Sequence, residues 1–480
     1  MSCPRISAML SLLVAMLLVC TEARSISEHR SKRTVDKCDS PFVRRLLEDG
    51  SGQQHPYPTC NDGSPSGFYL QRPTIDSTTW VIYLEGGDFC ADAASCQTRQ
   101  RQQHARTSST NWGLLKIPGS TENQGILSSQ ERINPYLHSA NKVYMPYCSS
   151  DFWSGTQTGR SNNETSGGEF VFSGALIFRA VVADLIKREG LATATRVIIS
   201  GSSSGGLGVL LHIDYLRQAL MSAGAVPDLR VQGIMDSAWY AHDAANCTKT
   251  VNVETRSRNC LDTSALNQMK AGYRYWSGFV PATCTQASTK PWLCYIASVL
   301  RPTVQSDIFV FQWYYDSYFT RLTEVPYLLE QGFVASRTQY HNAAQKILSL
   351  SNMVRKSLAE QKSINGSLLT IAVLPTCFSH ANLLLESWTN PMPYGATLAK
   401  VVECHSLSTS APEFERRWEA LECGRKKRAF YRHNCRDPTV ENSSCPVPSD
   451  HDFYTKFRQA ISQIPGVSRH CTLVLTNLSS

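Results

Sequence analysis

The β-type run Arg196-Val197-Ile198-Ile199-Ser200 passes into Gly201-Ser202-Ser203-Ser204-Gly205 and then into an apolar helical pattern. Gly-x-Ser-x-Gly between a strand and a helix predicts a turn so sharp that its central residue is strained, with glycines where side chains would clash. Such a turn lifts the Ser203 hydroxyl above the sheet at a helix N-terminus. There developing negative charge is favoured, and the Ser204 amide faces the oxygen of an attacked carbonyl. Ser202 and Ser204 are hydroxyls too, but only Ser203 has glycine two residues before and two after. A Gly/Ser loop without chemistry could carry the same five residues; the flanking strand and helix favour a nucleophile.

A serine at its ordinary pKa needs a base, and the base needs an orienting acid. In a hydrolase built on a parallel sheet the chain order is serine, acid, histidine. Asp316 follows the run Asp307 to Gln312, and His380 follows Leu368 to Leu374, so both are expected at the sheet edge that holds Ser203. Asp236 ends the strand after the serine's own and competes for the role of the acid; otherwise it is a turn or capping residue. His380 competes with the other histidines of the 12 in the chain, most of which lack a preceding apolar strand. For a second oxyanion amide, Trp80 to Leu84 is a strand candidate ending in Glu85-Gly86-Gly87-Asp88. Glycines there let the backbone approach a substrate oxygen closely, and a Gly-Gly turn with Cys90 bonded to nearby Cys96 is compatible with that role.

The elements that must position these residues are short apolar runs alternating with helical patterns, the order that builds a mostly parallel sheet with helices on both faces. Strands are predicted at 80–84, 142–145, 196–200, 231–235, 307–312 and 368–374. A helix is predicted over 173–189, where Ile177, Phe178, Val181, Val182, Leu185 and Ile186 recur at three-and-four spacing. That stripe is core packing and carries no chemistry. Residues 404–445, rich in Cys and charge, read as a disulfide-stapled excursion from the sheet.

The chain of 480 residues, 42% hydrophobic and 18% charged, can bury a full core, which excludes disorder, collagen and coiled coil as the main architecture. A net charge of +8 is mild for this length and is no nucleic-acid signature. Residues 1–23 have the parts of a secretory leader: Arg5, an apolar run from Ala8 to Cys20, and the exit Thr21-Glu22-Ala23. The run is too short to cross a bilayer, which needs about 20 helical residues, and no later run is long enough. The expectation is a secreted, extracellular protein without a transmembrane segment. A polar segment, 24–55, holds the basic group Arg30 to Arg33, read as a processing site of a propeptide or a solvated tail. The folded domain is expected over 56–465 and a tail over 466–480.

Seventeen cysteines fit an oxidising compartment; loss of Cys3 and Cys20 with the leader leaves an odd number, and Cys38 is the expected unpaired one. Asn163, Asn246, Asn365, Asn442 and Asn477 stand in Asn-x-Ser/Thr sequons and are glycosylation candidates. The cluster Arg425 to Arg428 suits a sulfated glycan, and equally a convertase site or a solvated loop.

Several of these segments together are similar to one known family. Glu85-Gly86-Gly87, Tyr147-Cys148-Ser149-Ser150-Asp151, Trp153-Ser154-Gly155, the turn around Ser203, Gln312-Trp313 through Asp316, and Ser379-His380 resemble the Notum family of secreted carboxylesterases, in the pectin-acetylesterase group. The resemblance runs from about Cys60 to the C-terminal cysteines. It implies an α/β-hydrolase fold, a Ser203/Asp316/His380 triad, oxyanion amides at Gly87, Asp88 and Ser204, and no metal or cofactor. It also implies removal of palmitoleate from a Wnt serine, with glypican or heparan sulfate as a partner, and an acyl pocket at Phe89, Tyr240, Tyr273, Tyr295 and Ile296.

The chain departs from that pattern. Notum has a tryptophan at the position of Asp88, a Phe-Phe pair at Tyr295-Ile296, and a phenylalanine at Tyr240. Polar walls disfavour a long alkyl chain, because each buried methylene contributes about 0.8 kcal/mol only in a dry site. The Asp88 carboxylate would oppose catalysis if it entered the oxyanion hole, so only its amide is expected to face inward. Besides the esterase, two readings remain: a binding protein that sequesters a lipidated ligand or glycan without turnover, and a polysaccharide acetylesterase.

Overall fold

β-branched and aliphatic runs buried on both faces favour parallel strands, because crossover helices must cover each face of such a sheet. The computed structural model describes residues 41–47, 57–114, 124–157, 170–240, 263–321, 337–361, 370–375, 378–390, 397–408 and 472–476. In chain order its strands are β1 (Val43–Leu46), β2 (Gly67–Gln71), β3 (Thr79–Leu84), β4 (Asn141–Met145), β5 (Arg196–Ser202), β6 (Arg230–Asp236), β7 (Asp307–Phe311), β8 (Tyr315–Asp316), β9 (Thr370–Leu374), β10 (Phe378–Ser379) and β11 (Thr472–Thr476). Nine of them form one sheet in the order β1-β2-β4-β3-β5-β6-β7-β9-β11, parallel from β4 to β9. The outer pairings β1–β2, β2–β4 and β9–β11 are antiparallel. This is the α/β-hydrolase class.

The sheet extends beyond the expected 56–465 domain at both ends. β1 lies in the segment read as a polar tail and β11 in the segment read as a C-terminal tail, so both belong to the sheet instead. β1 escaped sequence reading because it is a four-residue strand at the sheet edge with two arginines, Arg44 and Arg45, which breaks any hydrophobic alternation. The leader region, Cys38, the five sequons, Arg425 to Arg428 and nearly all of the 404–445 excursion lie outside the described residues.

Helix α1 (Ala93–Gln102) follows the Gly-Gly turn, α2 (Gly174–Arg188) is the predicted apolar helix, and α3 (Ser204–Ser222) springs from the Gly-x-Ser-x-Gly turn. Further along are α4 (Thr263–Tyr275), the short α5 (Ser317–Arg321), α6 (Arg337–Ala359) and α7 (Leu398–Leu407). α3 packs on β5 and β6 and against α2. Every residue from Ser204 to Ile213 is buried, so the helix is gripped on all sides where it leaves the turn. Each buried valine or leucine there contributes about 1.5–3 kcal/mol.

The start of α2 is received by a carboxylate. Asp151 accepts from the amides of Gly174 (2.8 Å), Gly155 (3.0 Å) and Trp153 (3.0 Å) and from Ser149 Oγ (2.6 Å). Burial nevertheless pushes its pKa up to about 6. The segment 147–155 is therefore a structural knot beside the sheet edge. The Cys60–Cys148 disulfide ties this segment to the residues before β2, and Cys90–Cys96 and Cys284–Cys294 close two short loops.

Candidate active site

Parallel strands end on a common rim, and here β3, β5, β6, β7 and β9 each pass a chemically equipped loop to it. At the end of β5, Ser203 takes φ 55° and ψ −124°, a strained conformation for a residue with a side chain. The turn is closed so tightly that a Cβ on Gly205 would fall 2.1 Å from the Leu84 carbonyl oxygen. Gly is thus obligatory at that position for steric reasons. Ser203 is nearly buried, 7% exposed, and its amide donates to the Asp236 carbonyl at 2.8 Å.

The turn after β3 runs alongside. A Cβ on Gly86 would lie 2.2 Å from the Ser202 carbonyl oxygen and 3.1 Å from Ser203 Cβ. Gly87 and Asp88 then adopt φ 149° and 67°. Ser204 Oγ donates to the Asp88 carbonyl at 3.3 Å, and Arg99 donates to the Gly87 carbonyl and to Ser150 Oγ. With these carbonyls held from outside, the turn has a fixed orientation beside the serine. Ser204 is the first residue of α3, so its amide has no acceptor within the helix. Glu85 accepts from the Tyr147 amide at 2.9 Å and pairs with Arg106 at 3.7 Å, yet burial raises its pKa above the usual carboxylate range.

On the far side of the rim the small parallel pair β8–β10 sets Ser379 against Asp316, which brings His380 to the acid. His380 Nδ1 lies 2.8 Å from Asp316 Oδ1. A proton on Nδ1 leaves Nε2 as an acceptor. Asp316 is buried and its position is over-determined: Oδ2 accepts from Gln312 Nε2 (2.9 Å), and Oδ1 accepts from the amides of Tyr318 (2.9 Å) and Phe319 (3.2 Å).

Asp236, the competing acid, has other partners. It accepts from Ser202 Oγ (2.6 Å), Ser237 Oγ (2.9 Å) and the amides of Asn382 (2.7 Å) and Leu383 (2.9 Å). Ser237 Oγ in turn accepts from the Ala381 amide at 2.9 Å. Burial raises the Asp236 pKa. The carboxylate ties the loop behind His380 to the strand next to Ser203, so the serine and the imidazole loop share one anchor.

Of the residues expected around an acyl pocket, most are packed against one another. Tyr240 is 2% exposed, and Tyr295 and Ile296 are 0% exposed, which leaves almost no surface on them for a ligand to touch. Phe152 stands 4.3 Å from Phe89 and 5.8 Å from Tyr295, ring centre to ring centre, and Tyr295 stands 5.9 Å from Trp276 and 6.1 Å from Tyr273. The Tyr295 hydroxyl shares a 2.8 Å hydrogen bond with Ser154 Oγ. Tyr240 packs on Phe319 at 4.9 Å with its phenol beside Ser203, and burial, then Asp88 and Asp316, raise its pKa.

The structure thus gathers Ser203, Ser204, Gly87 and Asp88 on one side of the rim and Asp316 with His380 on the other. Sequence reasoning missed Tyr318, Gln312 as a partner of Asp316, and the anchoring role of Asp236. Tyr318 reaches Asp88 across 230 positions, and no local pattern marks such a contact.

The family model for Pectinacetylesterase matches residues 51–423. Palmitoleoyl-protein carboxylesterase NOTUM of Homo sapiens is 32% identical over 355 residues, covering 73% of this chain and 64% of that protein. Its counterpart in Drosophila melanogaster is 33% identical over 356 residues, 73% of this chain and 47% of that protein. The chain therefore spans less than two thirds of the length of either relative. A solved structure of the Wnt deacylase Notum from Drosophila superposes with a TM-score of 0.62 at 30% identity, covering 79% of this chain and 94% of that one.

Proposed function

Because this chain belongs to the pectinacetylesterase family, we propose that it is a secreted serine carboxylesterase in which Ser203, Asp316 and His380 are the catalytic residues. The observation that carries this reading is the strained Ser203 elbow on the same rim as the Asp316–His380 contact of 2.8 Å. His380 Nε2 takes the Ser203 proton as Oγ attacks the ester carbonyl. The amides of Gly87, Asp88 and Ser204 then receive the oxyanion, each such donor lowering the barrier by about 2.7–4 kcal/mol. Collapse passes the proton from His380 to the departing alkoxide, leaving an acyl-serine. Water, deprotonated by the same imidazole, hydrolyses the acyl-serine to free acid and Ser203.

Similarity to a palmitoleoyl-protein carboxylesterase and to a Wnt deacylase supports a protein-bound palmitoleoyl ester, and so a lipidated Wnt, as the substrate. The burial of Tyr240, Tyr295 and Ile296 supports a second reading, in which the acyl group is short. Secretion through the leader at 1–23, glycosylation, and a glypican or heparan sulfate partner held at Arg425 to Arg428 belong to the same proposal. The three disulfides among the described residues support the compartment.

The test is hydrolysis of p-nitrophenyl esters from C2 to C16, beside a palmitoleoylated Wnt peptide, by the purified secreted protein and by Ser203→Ala. Turnover that vanishes in Ser203→Ala is expected; a wild type that turns over none of these esters would leave the binding reading in its place. A C2 ester far ahead of C8 selects the short-acyl reading, and release of palmitoleate selects the other. Retention on heparin that is unchanged after neutralising residues 425 to 428 removes that patch from the proposal.

A further inference from the structure

One side chain touches both sides of the rim. The ring of Tyr318 lies over His380, with centroids 5.2 Å apart and planes inclined by 29°. Its amide donates to Asp316 Oδ1 at 2.9 Å, and its hydroxyl donates to Asp88 Oδ1 at 2.6 Å. The same Asp88 oxygen accepts from the Phe89 amide at 2.9 Å, while the Asp88 carbonyl accepts from Ser204 Oγ at 3.3 Å. Asp88 also holds the positive φ of 67°, a conformation that persists only where its surroundings over-determine it.

We propose that Tyr318 and Asp88 form a clasp, a pair of positioning residues that fastens the oxyanion turn to the imidazole. The clasp rests on the serine-esterase reading and adds two things to it. First, the donors at Gly87 and Asp88 and the base at His380 come from loops after different strands, and a single phenol fixes their separation. Second, Oδ1 of Asp88 is engaged by two donors, which directs the carboxylate to Tyr318 and Phe89. A carboxylate free to swing toward the amides would repel the charge that develops on the attacked oxygen. The clasp is therefore what makes an aspartate tolerable at this turn.

Steady-state hydrolysis of p-nitrophenyl acetate by the full secreted protein tests the pair. Tyr318→Phe keeps the ring on His380 and loses only the hydroxyl. It is expected to lower kcat about tenfold with KM within about twofold, the signature of lost transition-state positioning. Asp88→Ala should cost about as much, and the double variant little more than either single one, since both remove one interaction. Asp88→Asn retains an acceptor oxygen for the phenol and should recover most of the kcat lost in Asp88→Ala. Should Tyr318→Phe fail to fold, the ratio of Asp88→Asn to Asp88→Ala decides alone.

Losses that multiply in the double variant, a Tyr318→Phe enzyme within twofold of wild type, or an Asp88→Asn no better than Asp88→Ala would each overturn the clasp. Ser203→Ala run alongside separates the two levels. If it is inactive while Tyr318→Phe is unaffected, the clasp alone falls. If it keeps wild-type turnover, the serine reading falls and the clasp with it.

Discussion

The two sides of the catalytic rim are built by different physics. On the serine side the backbone itself makes the geometry: Gly205 is pressed against the Leu84 carbonyl, Gly86 against Ser202, and Ser203 is held at φ 55°. On the acid–histidine side the backbone is also strained, at Ser237 (φ 53°) and Ala381 (φ 63°), but side chains fix where it lies. Gln312 and two amides hold Asp316, and Asp236 holds the loop that follows His380 through the amides of Asn382 and Leu383. Steric exclusion tolerates no added atom, whereas a hydrogen-bonded loop tolerates volume changes and fails when an acceptor is removed. Adding a methyl should therefore damage the first side most, and deleting an oxygen the second.

The largest expected effect tests whether the acid–histidine side works as a unit with Ser203. Asp316→Asn preserves shape but reverses the hydrogen-bond role at the atom facing Nδ1. It should lower kcat by about 10⁴-fold through the wrong imidazole tautomer, with the fold intact by circular dichroism. Less than a tenfold loss would assign the acid elsewhere.

Gly205→Ala probes the steric side. A methyl 2.1 Å from a carbonyl oxygen forces the strand and helix apart, at a cost of about 3 kcal/mol in urea-denaturation stability. A stability within about 0.5 kcal/mol of wild type would refute the steric account of the elbow.

Asp236→Ala probes the hydrogen-bonded side. It removes the acceptor of the Asn382 and Leu383 amides and of the Ser202 and Ser237 hydroxyl protons. Release of the His380 loop should reduce kcat about 10²-fold, the loss that an error of about 1 Å produces. If kcat holds while only the melting temperature falls, Asp236 is a core residue and no anchor of the site.

The smallest effect concerns acid. His212 on α3 lies in a stack between Phe178 (4.5 Å) and Phe279 (5.6 Å), its Nε2 is 2.6 Å from the Trp153 carbonyl, and burial pushes its pKa from 6.5 down to about 4. A depressed histidine binds its proton more readily in the unfolded chain. Its contribution to stability is thus complete above pH 6.5 and is lost as pH falls toward about 4. His405, pushed down to about 3, acts in the same direction, while Asp151, raised from 3.8 to about 6, loses its contribution as pH rises through that window. His212→Gln should reduce the slope of stability against pH in this range by up to one proton, about 1.4 kcal/mol per pH unit. An unchanged slope would mean that His212 takes up its proton in the folded state.

Much of the fold was legible because its signals are local. The runs around Val81, Val143, Ile198, Ile234, Val310 and Ala372 all became strands of one sheet, and the spacing of Ile177 through Leu185 became α2. The edges were not legible. β1 carries two arginines and was read as part of a polar tail, β11 was read as part of a C-terminal tail, and β2 was not identified; an edge strand such as β1 needs no sustained apolar pattern. The expected acyl pocket shows the same limit from the other direction. The family resemblance implied Tyr240, Tyr295 and Ile296 as walls, but the packing of both tyrosines depends on Phe152, and that of Tyr295 on Trp276 as well, arriving from elsewhere.

By itself, the sequence determined the elements and the turn chemistry: which runs extend, where the helices start, and that Gly-x-Ser-x-Gly between them forces a serine out of line. Those follow from sterics and periodicity within a few residues. Only the tertiary structure decided which carboxylate meets His380, that Asp236 anchors rather than activates, and that Asp88 finds a phenol on α5, 230 residues away. Such partnerships are distances between remote segments, fixed by how the strands order themselves in the sheet, and strand order is a property of the whole packed chain.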